Sequence, residues 1–273
     1  MNDLADRLAL HSWTLESQPL PQILSAAAKA GYRAVELRHL DFQRCRERGM
    51  GTDDIVALIK GSGLEVEIIG IENGLLYAEG KEQERLYESL EQNAQLAVTL
   101  GCKLLGTSSG QNMPTKELDV VADSLRRAGQ IVDRFGLRLA LEANSRHPVM
   151  NNPSVSLKVV KDANHPACGL LLDAYHLECG GLGGRAFDFV PGELIWAFQY
   201  SDAPARSERS TARRPLDRLP PGAGVIEWRD IYELVSEKGY EGYWAYEAPN
   251  PAQWSRDPLE VAREGFRIVE LVR

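Results

Sequence analysis

Eight times along this chain a short β-rich run gives way to an amphipathic or helix-forming stretch, and that rhythm limits the folds open to it. The runs fall at residues 7–13 (RLALHSW), 33–37 (RAVEL), 64–71 (LEVEIIGI) and 102–107 (CKLLGT). They continue at 137–142 (LRLALE), 167–173 (ACGLLLD), 194–201 (LIWAFQYS) and 242–247 (GYWAYE). Helical periodicity is predicted at 20–30, 52–63, 81–100, 115–135, 153–162, 228–238 and 258–272, with a short helix in the Gly-rich stretch after the sixth run. Gly31, Gly101, Gly136 and Gly239 stand where helices close, as left-handed C-terminal caps require. Eight β/α units are the count of a (β/α)8 TIM barrel. A doubly wound open sheet would also alternate, but it places a Gly-rich phosphate turn after its first strand, and residues 12–20 (SWTLESQPL) contain none. No Pro/Gly/Ser linker divides the chain, so one barrel spanning residues 1–273 is expected. The longest irregular stretch, 203–224, is read as functional or mobile.

With 44% hydrophobic and 26% charged residues the composition is that of an ordinary globular enzyme. The net charge of −8 repels phosphate backbones and anionic membranes, which argues against nucleic acid and membrane surfaces as partners. No window approaches ~20 consecutive apolar residues. Residues 1–13 carry Asp3, Asp6 and Arg7 without a long apolar stretch, which reads against a signal peptide. Cys45, Cys102, Cys168 and Cys179 form no C-x-x-C pair and read as reduced thiols of a cytoplasmic protein.

In barrels the chemistry sits at the C-terminal ends of the strands. The fifth run ends in Glu142, the sixth in Asp173 and the eighth in Glu247, while the seventh contains Gln199 and leads to Asp202. A carboxylate closing an apolar strand lies in dry surroundings, where an unpaired charge is expensive, so something must neutralise it. Singly, each has an ordinary explanation: an arginine partner for Glu142 or Glu247, a helix N-cap for Asp173. Their equivalent positions on successive strands point instead to a shared divalent cation.

The segments LALEAN, GLLLDAYH, FQYSDAP and GYWAYEAP resemble the sugar phosphate isomerase/epimerase superfamily, the xylose isomerase-like barrels. The strand order matches along nearly the whole chain, and the motifs are sharp in its second half. The resemblance implies Glu142, Asp173, Gln199 and Glu247 as metal ligands. It departs at Gln199, where many members carry His, and an amide oxygen in place of imidazole tilts the expected metal toward Mn²⁺ or Mg²⁺ over Zn²⁺. It also implies proton abstraction beside a carbonyl, with an enediolate stabilised by the cation and Glu142 and Glu247 as the acid/base pair. A sugar isomerase or epimerase is expected. A dehydratase of a cyclic hydroxy-ketone, such as an inosose or 3-dehydroshikimate, is the alternative.

His176, three residues after Asp173, is assigned to substrate contact. His11, at the end of the first run, and His147, with Arg146 after Glu142, are further candidates to face substrate. His11 is equally readable as a core histidine, and His39 and His165 are read as loop residues without a role. Glu72, Asn73, Thr107 and Ser108 are candidate polar walls, Trp13 and Trp254 apolar ones. Arg206, Arg209, Arg213, Arg214 and Arg218 crowd the segment after the seventh run. A solvated loop explains any one of them, but a basic island in an acidic chain also suits an anionic substrate. Arg218, within RLPPGAG, is expected to hold that anion. The partner is thus a small sugar or polyol, neutral or anionic, and a homo-oligomer is left open. A DNA-repair nuclease of the endonuclease IV type needs a three-metal cluster rich in histidine, and five scattered histidines count against it. A non-catalytic sugar-binding barrel would lack metal-dependent turnover.

Overall fold

Period-two alternation decides what each strand offers the inside of the molecule, since successive side chains point to opposite faces. In the computed structural model, which describes residues 3–108, 117–212 and 214–273, eight strands realise that pattern. They are β1 Leu8–His11, β2 Ala34–Arg38, β3 Glu65–Gly70, β4 Leu104–Ser108, β5 Arg138–Glu142, β6 Cys168–Asp173, β7 Ile195–Tyr200 and β8 Trp244–Tyr246. Each pairs in parallel with the next, and β8 pairs with β1, which closes a TIM barrel. The helices are α1 Leu20–Ala30, α2 His39–Glu47, α3 Thr52–Gly61, α4 Gly80–Leu100, α5 Leu118–Asp133, α6 Pro153–Ala163, α7 Ala174–Cys179, α8 Trp228–Glu237, α9 Pro258–Glu264 and α10 Arg267–Leu271.

The large core, including Val35, Leu37, Leu139, Leu141, Leu170 and Leu172, joins the outer faces of the strands to the helices. Fully burying such a side chain is worth roughly 1.5–3 kcal/mol. Two smaller clusters stand apart from it: Ala9, Ala34 and Ala245 in one, and Ile68, Leu104, Ala140, Leu171 and Ala197 in the other. These fill the barrel interior. Two residues further along β1, β2 and β5–β7, toward the strand C-terminal ends, the same inward row carries His11, Glu36, Glu142, Asp173 and Gln199. The registers His11↔Glu36 and Asp173↔Gln199 hold these pairs on adjacent strands.

The elements differ from the sequence reading in four places. The first strand stops at His11, because residues Ser12–Leu15 wind into a 3-10 turn whose Trp13 amide donates to His11 Nδ1 at 3.0 Å. Helix α2 was not expected, and its first residue is His39, which was read as a loop residue. The closing helix is two pieces, α9 and α10. The break is at Gly265, where a Cβ would lie 2.1 Å from Tyr32 Oη. The last strand is shorter than read, so Glu247 follows it directly, held by its amide donating to the Tyr200 carbonyl at 3.1 Å. Arg213 and the first two positions of the helix read at 115–135 lie outside the described residues. Gly31 and Gly101 close α1 and α4 at φ of 103° and 78°, where a side chain would be strained. Among the described residues no helix is long and apolar enough to cross a membrane.

Candidate active site and metal centre

A cavity of about 500 Å³ opens at the C-terminal end of the barrel. His11, Glu36, Glu142, His176, Gln199 and Glu247 all line it. Asp173 does not line the cavity but is fully buried in contact with the residues that do.

Glu142, Asp173 and His176 each offer a ligand atom within 4.8 Å of the others. His176 Nε2 stands 3.8 Å from Glu142 Oε1 and 3.8 Å from Asp173 Oδ2. Asp173 fills two roles at once. Its Oδ1 accepts from the Tyr175 amide at 2.9 Å and so caps α7, while Oδ2 turns inward. Because α7 begins immediately after β6, capping it also brings His176 over the acids. Burial, reinforced by the charges of Arg218 and Arg146, holds the His176 imidazole neutral, well below its usual range. Its Nδ1 is 2.9 Å from Ser145 Oγ, which orients the ring.

Gln199 donates from Nε2 to Glu36 Oε1 at 2.9 Å. That bond fixes which end of the amide faces which way and leaves Oε1 buried without a hydrogen-bond partner. A buried acceptor with no donor is costly unless something occupies it. Glu36 was missed by the sequence reading. It sits inside RAVEL and does not end the run, so its position alone does not single it out. Burial and the charges of Glu67, Glu247 and Glu142 push its carboxyl well above the ordinary range.

His11 joins the two sides of the site. Its Nδ1 accepts from Trp13, which leaves Nε2 as the protonated nitrogen, 3.2 Å from Glu247 Oε1 and 3.6 Å from Glu36 Oε1. Burial and then the charge of Arg38 keep the ring neutral.

Arg218 lines the cavity, as expected, and is paired there with two of the acids. It is 2% exposed, with Nη1 2.7 Å from Asp173 Oδ2 and 2.8 Å from Glu247 Oε2, and its guanidinium lies 4.6 Å from the Tyr175 ring centroid. Its charge is therefore committed to the acids of the site. His147 does not line the cavity. Its Nδ1 accepts from the amides of Val149 and Met150 and shapes the loop after β5, and its ring packs on Tyr77. Glu72, Asn73, Thr107, Ser108 and Trp13 line the cavity, whereas Trp254 does not. His39 lines it too. Among the loop arginines, Arg209 pairs with Glu178 at 2.7 Å and Arg214 lines the cavity mouth.

The donor set fits a divalent cation. Glu36, Glu142, Asp173 and Glu247 meet one fully buried guanidinium, so acids exceed the compensating charge at the centre. Burial and the neighbouring carboxylates raise Glu142 well above its ordinary value, and Asp173 is pushed up to about 6. Carboxylate, amide oxygen and neutral imidazole are all established ligands for such ions.

The profile of the xylose isomerase-like TIM barrel family matches residues 24–270. The chain belongs to that family. A candidate hydroxypyruvate isomerase from Streptomyces coelicolor is 26% identical over 247 residues, covering 82% of this chain and 84% of the relative. A 3-dehydroshikimate dehydratase from Pseudomonas putida is 26% identical over 265 residues, covering 92% of this chain but 37% of that longer protein. Among solved structures, the IolI protein with a bound zinc atom superposes with a TM-score of 0.84 at 18% identity, covering 97% of this chain and 98% of that one. The family is one of enzymes, with isomerases and dehydratases among these relatives. Zinc in the IolI structure gives no support to the expected preference for Mn²⁺ or Mg²⁺ over Zn²⁺.

Proposed function

We propose that the protein is a divalent-metal-dependent isomerase or epimerase of a sugar or sugar-like polyol ketone, with Glu142 and Glu247 as its acid/base pair. The observation that carries this reading is the pair of carboxylates, on β5 and just past β8, facing one cavity across the buried donor set. Glu142, Asp173, Gln199 and Glu247 would hold the ion, with His176 beside them. When bound, the ion would polarise the substrate carbonyl and its neighbouring hydroxyl.

The protein's own groups account for the rest. One glutamate takes the proton from the carbon beside the carbonyl, and the other returns a proton. Return to the opposite face of the same carbon gives an epimer, and return to the carbonyl carbon, with the hydroxyl proton passing from one oxygen to the other, gives the aldose–ketose isomer. Burial and the neighbouring carboxylates raise the affinity of Glu142 for protons, which makes it a stronger base than an ordinary carboxylate. His11 holds Glu247 in place through Nε2, and Arg218 steadies the other oxygen of the same carboxylate. Loss of a β-hydroxyl instead of proton return would make the same site a dehydratase, a reading favoured by the match to 3-dehydroshikimate dehydratase along 92% of the chain. For the metal, the carboxylate and amide donors favour Mn²⁺ or Mg²⁺.

The test is turnover of ketoses, inososes and 3-dehydroshikimate with Mn²⁺, Mg²⁺ and Zn²⁺, with metal occupancy measured in parallel. Glu142→Gln and Glu247→Gln should lose ~10²–10⁴-fold in kcat at saturating metal, the usual contribution of a general acid or base. Asp173→Asn should act mainly through metal loss and be rescued better by excess metal. If excess metal restores both glutamate variants to near wild-type turnover, those residues are ligands only and the proton-transfer assignment is wrong.

A further inference from the structure

The mouth of the cavity carries a cation that the catalytic centre does not use. Arg214 lines the cavity, and its guanidinium lies 4.1 Å from the centroid of the Trp13 ring. It makes no hydrogen bond and no ion pair among the described residues. Stacking on an indole holds the planar group while leaving its in-plane N–H donors open. Arg38 approaches the same ring at 6.0 Å and lines the same cavity. Its Nη2 is tied to Glu16 at 2.7 Å and to Asp41 at 2.9 Å and its Nε to Ser12, but its buried Nη1 has no hydrogen-bond partner. Arg44 shares Glu16 at 2.7 Å. Three arginines therefore meet two carboxylates at this rim, and the uncompensated charge belongs to Arg214. Burial lowers its pKa, while the charges of Glu16 and Glu247 oppose those of Arg38 and Arg44.

We propose that Arg214, stacked on Trp13, and the open Nη1 of Arg38 form an anion subsite at the cavity mouth, and that the substrate is a polyhydroxylated ketone bearing a carboxylate or phosphate group. The subsite replaces Arg218 as the place of anion recognition, since Arg218 is spent on Asp173 and Glu247. The fork geometry of a guanidinium matches both anions. Substrate would span the cavity, with the charged group at Trp13 and the reacting carbons between Glu142 and Glu247. His39, Asn73 and Ser108, which line the cavity, can receive its hydroxyls. This rests on the isomerase reading for the reacting end alone.

The experiment compares ligands that share a carbon skeleton: glucitol as the neutral polyol, gluconate as the carboxylate, and a hexitol phosphate as the phosphate ester. Binding is measured by calorimetry at low salt, with and without Mn²⁺, for wild type, Arg214→Ala and Arg214→Lys. Arg214 is exposed apart from its stacking on Trp13 and makes no hydrogen bond or ion pair among the described residues, so its replacement strands no buried partner. The anion arm that fits should bind about ten- to a hundredfold tighter than glucitol, the range for hydrogen bonds to charged groups. Arg214→Ala should abolish that advantage and leave glucitol unchanged, and Arg214→Lys should keep part of it. Whichever anion shows the advantage identifies the charged group. Equal affinity of all three ligands for wild type overturns the subsite, as does a loss in Arg214→Ala that is the same for glucitol as for the anions. Failure of the isomerase reading shows separately, as absent metal uptake and absent ketose turnover, because the anion preference is read in metal-free protein as well.

Discussion

Gln199 and Glu36 show how one residue's chemistry is set by the neighbour it bonds to. An amide can present either end to a site, and Gln199 presents its oxygen because its nitrogen is occupied by Glu36 Oε1. Glu36 is thus a positioning residue. Replacing it by Leu removes the acceptor and leaves the amide nitrogen unsatisfied, at a cost of about 1–3 kcal/mol. The same change also removes a carboxyl that burial has already driven toward its neutral form, so the two effects on stability oppose. Divalent-metal affinity has no such offset. Partners behind a metal ligand typically contribute ~10–100-fold in affinity, so with Gln199 the proposed ligand that loss is expected for Glu36→Leu while the melting temperature of the metal-free protein changes little. Calorimetric titration with Mn²⁺ beside thermal melts checks it, and unchanged metal affinity would show that Gln199 orients itself without help.

At the scale of elements, the segment that follows β7 is organised by Asp202, which lies two residues past the strand and is 1% exposed. Its carboxylate accepts from the amides of Ala203, Gly222 and Ile226 and from the Trp228 indole. Its own backbone pairs with Leu219, the neighbour of Arg218. Gly224 completes the turn, where a Cβ would lie 2.2 Å from the Ala203 carbonyl oxygen. One acid therefore folds some twenty residues back over the barrel rim and delivers Arg218 to the acids. Asp202→Ala strands several buried donors at once, so a loss of about 3 kcal/mol or more is expected, which for a chain of this size lowers Tm by roughly 6–12 °C. Metal affinity should shift with it, as Arg218 leaves the carboxylates it compensates. A stable Asp202→Ala protein with wild-type metal affinity would mean the segment is held some other way. The sequence showed Asp202 only as an acid near a strand end. Its hub role depends on where Gly222, Ile226 and Trp228 return in space, and no local pattern encodes that. The strands were legible because burial on both faces leaves apolar runs such as LLLD and LALE. The inward acids at their ends were legible for the same reason, since a charge in such a run stands out. Glu36 carried the same signal inside RAVEL. Helix α2 did not, because its nine residues are mostly polar and follow β2 without a loop. The pairing of Arg218 with Asp173 and Glu247 depended on a fold-back invisible to spacing.

Across the whole molecule, the barrel interior holds buried acid beyond the layer that lines the cavity, and this sets how the fold responds to pH. Strand β3 carries an irregularity. Its register with β2 runs from Val35↔Val66 to Glu36↔Ile68, skipping Glu67. The Glu67 Oε2 is buried without a hydrogen-bond partner, and burial pushes the carboxyl up to about 8. An acid that titrates near 4.5 when unfolded and near 8 when folded keeps its proton in the native state through a window in which the unfolded chain has released it. Stability then falls as pH rises, because the native state binds more protons than the unfolded one. The stabilising contribution of the neutral carboxyl is complete below about 4.5 and is lost progressively toward about 8. Other buried groups act in the same range, with Asp173 and Glu142 in the same direction and the buried neutral His11 and His176 in the opposite one. The difference between wild type and Glu67→Gln removes them to first order, since the amide keeps the shape and cannot ionise. Thermal melts of both proteins, stripped of metal with chelator, should give nearly equal Tm at about pH 5 and a Tm advantage for Glu67→Gln that widens steadily to about pH 8. Parallel curves across that range would show that Glu67 is ionised in the folded protein throughout, with a cation or water at the β3 irregularity meeting its charge.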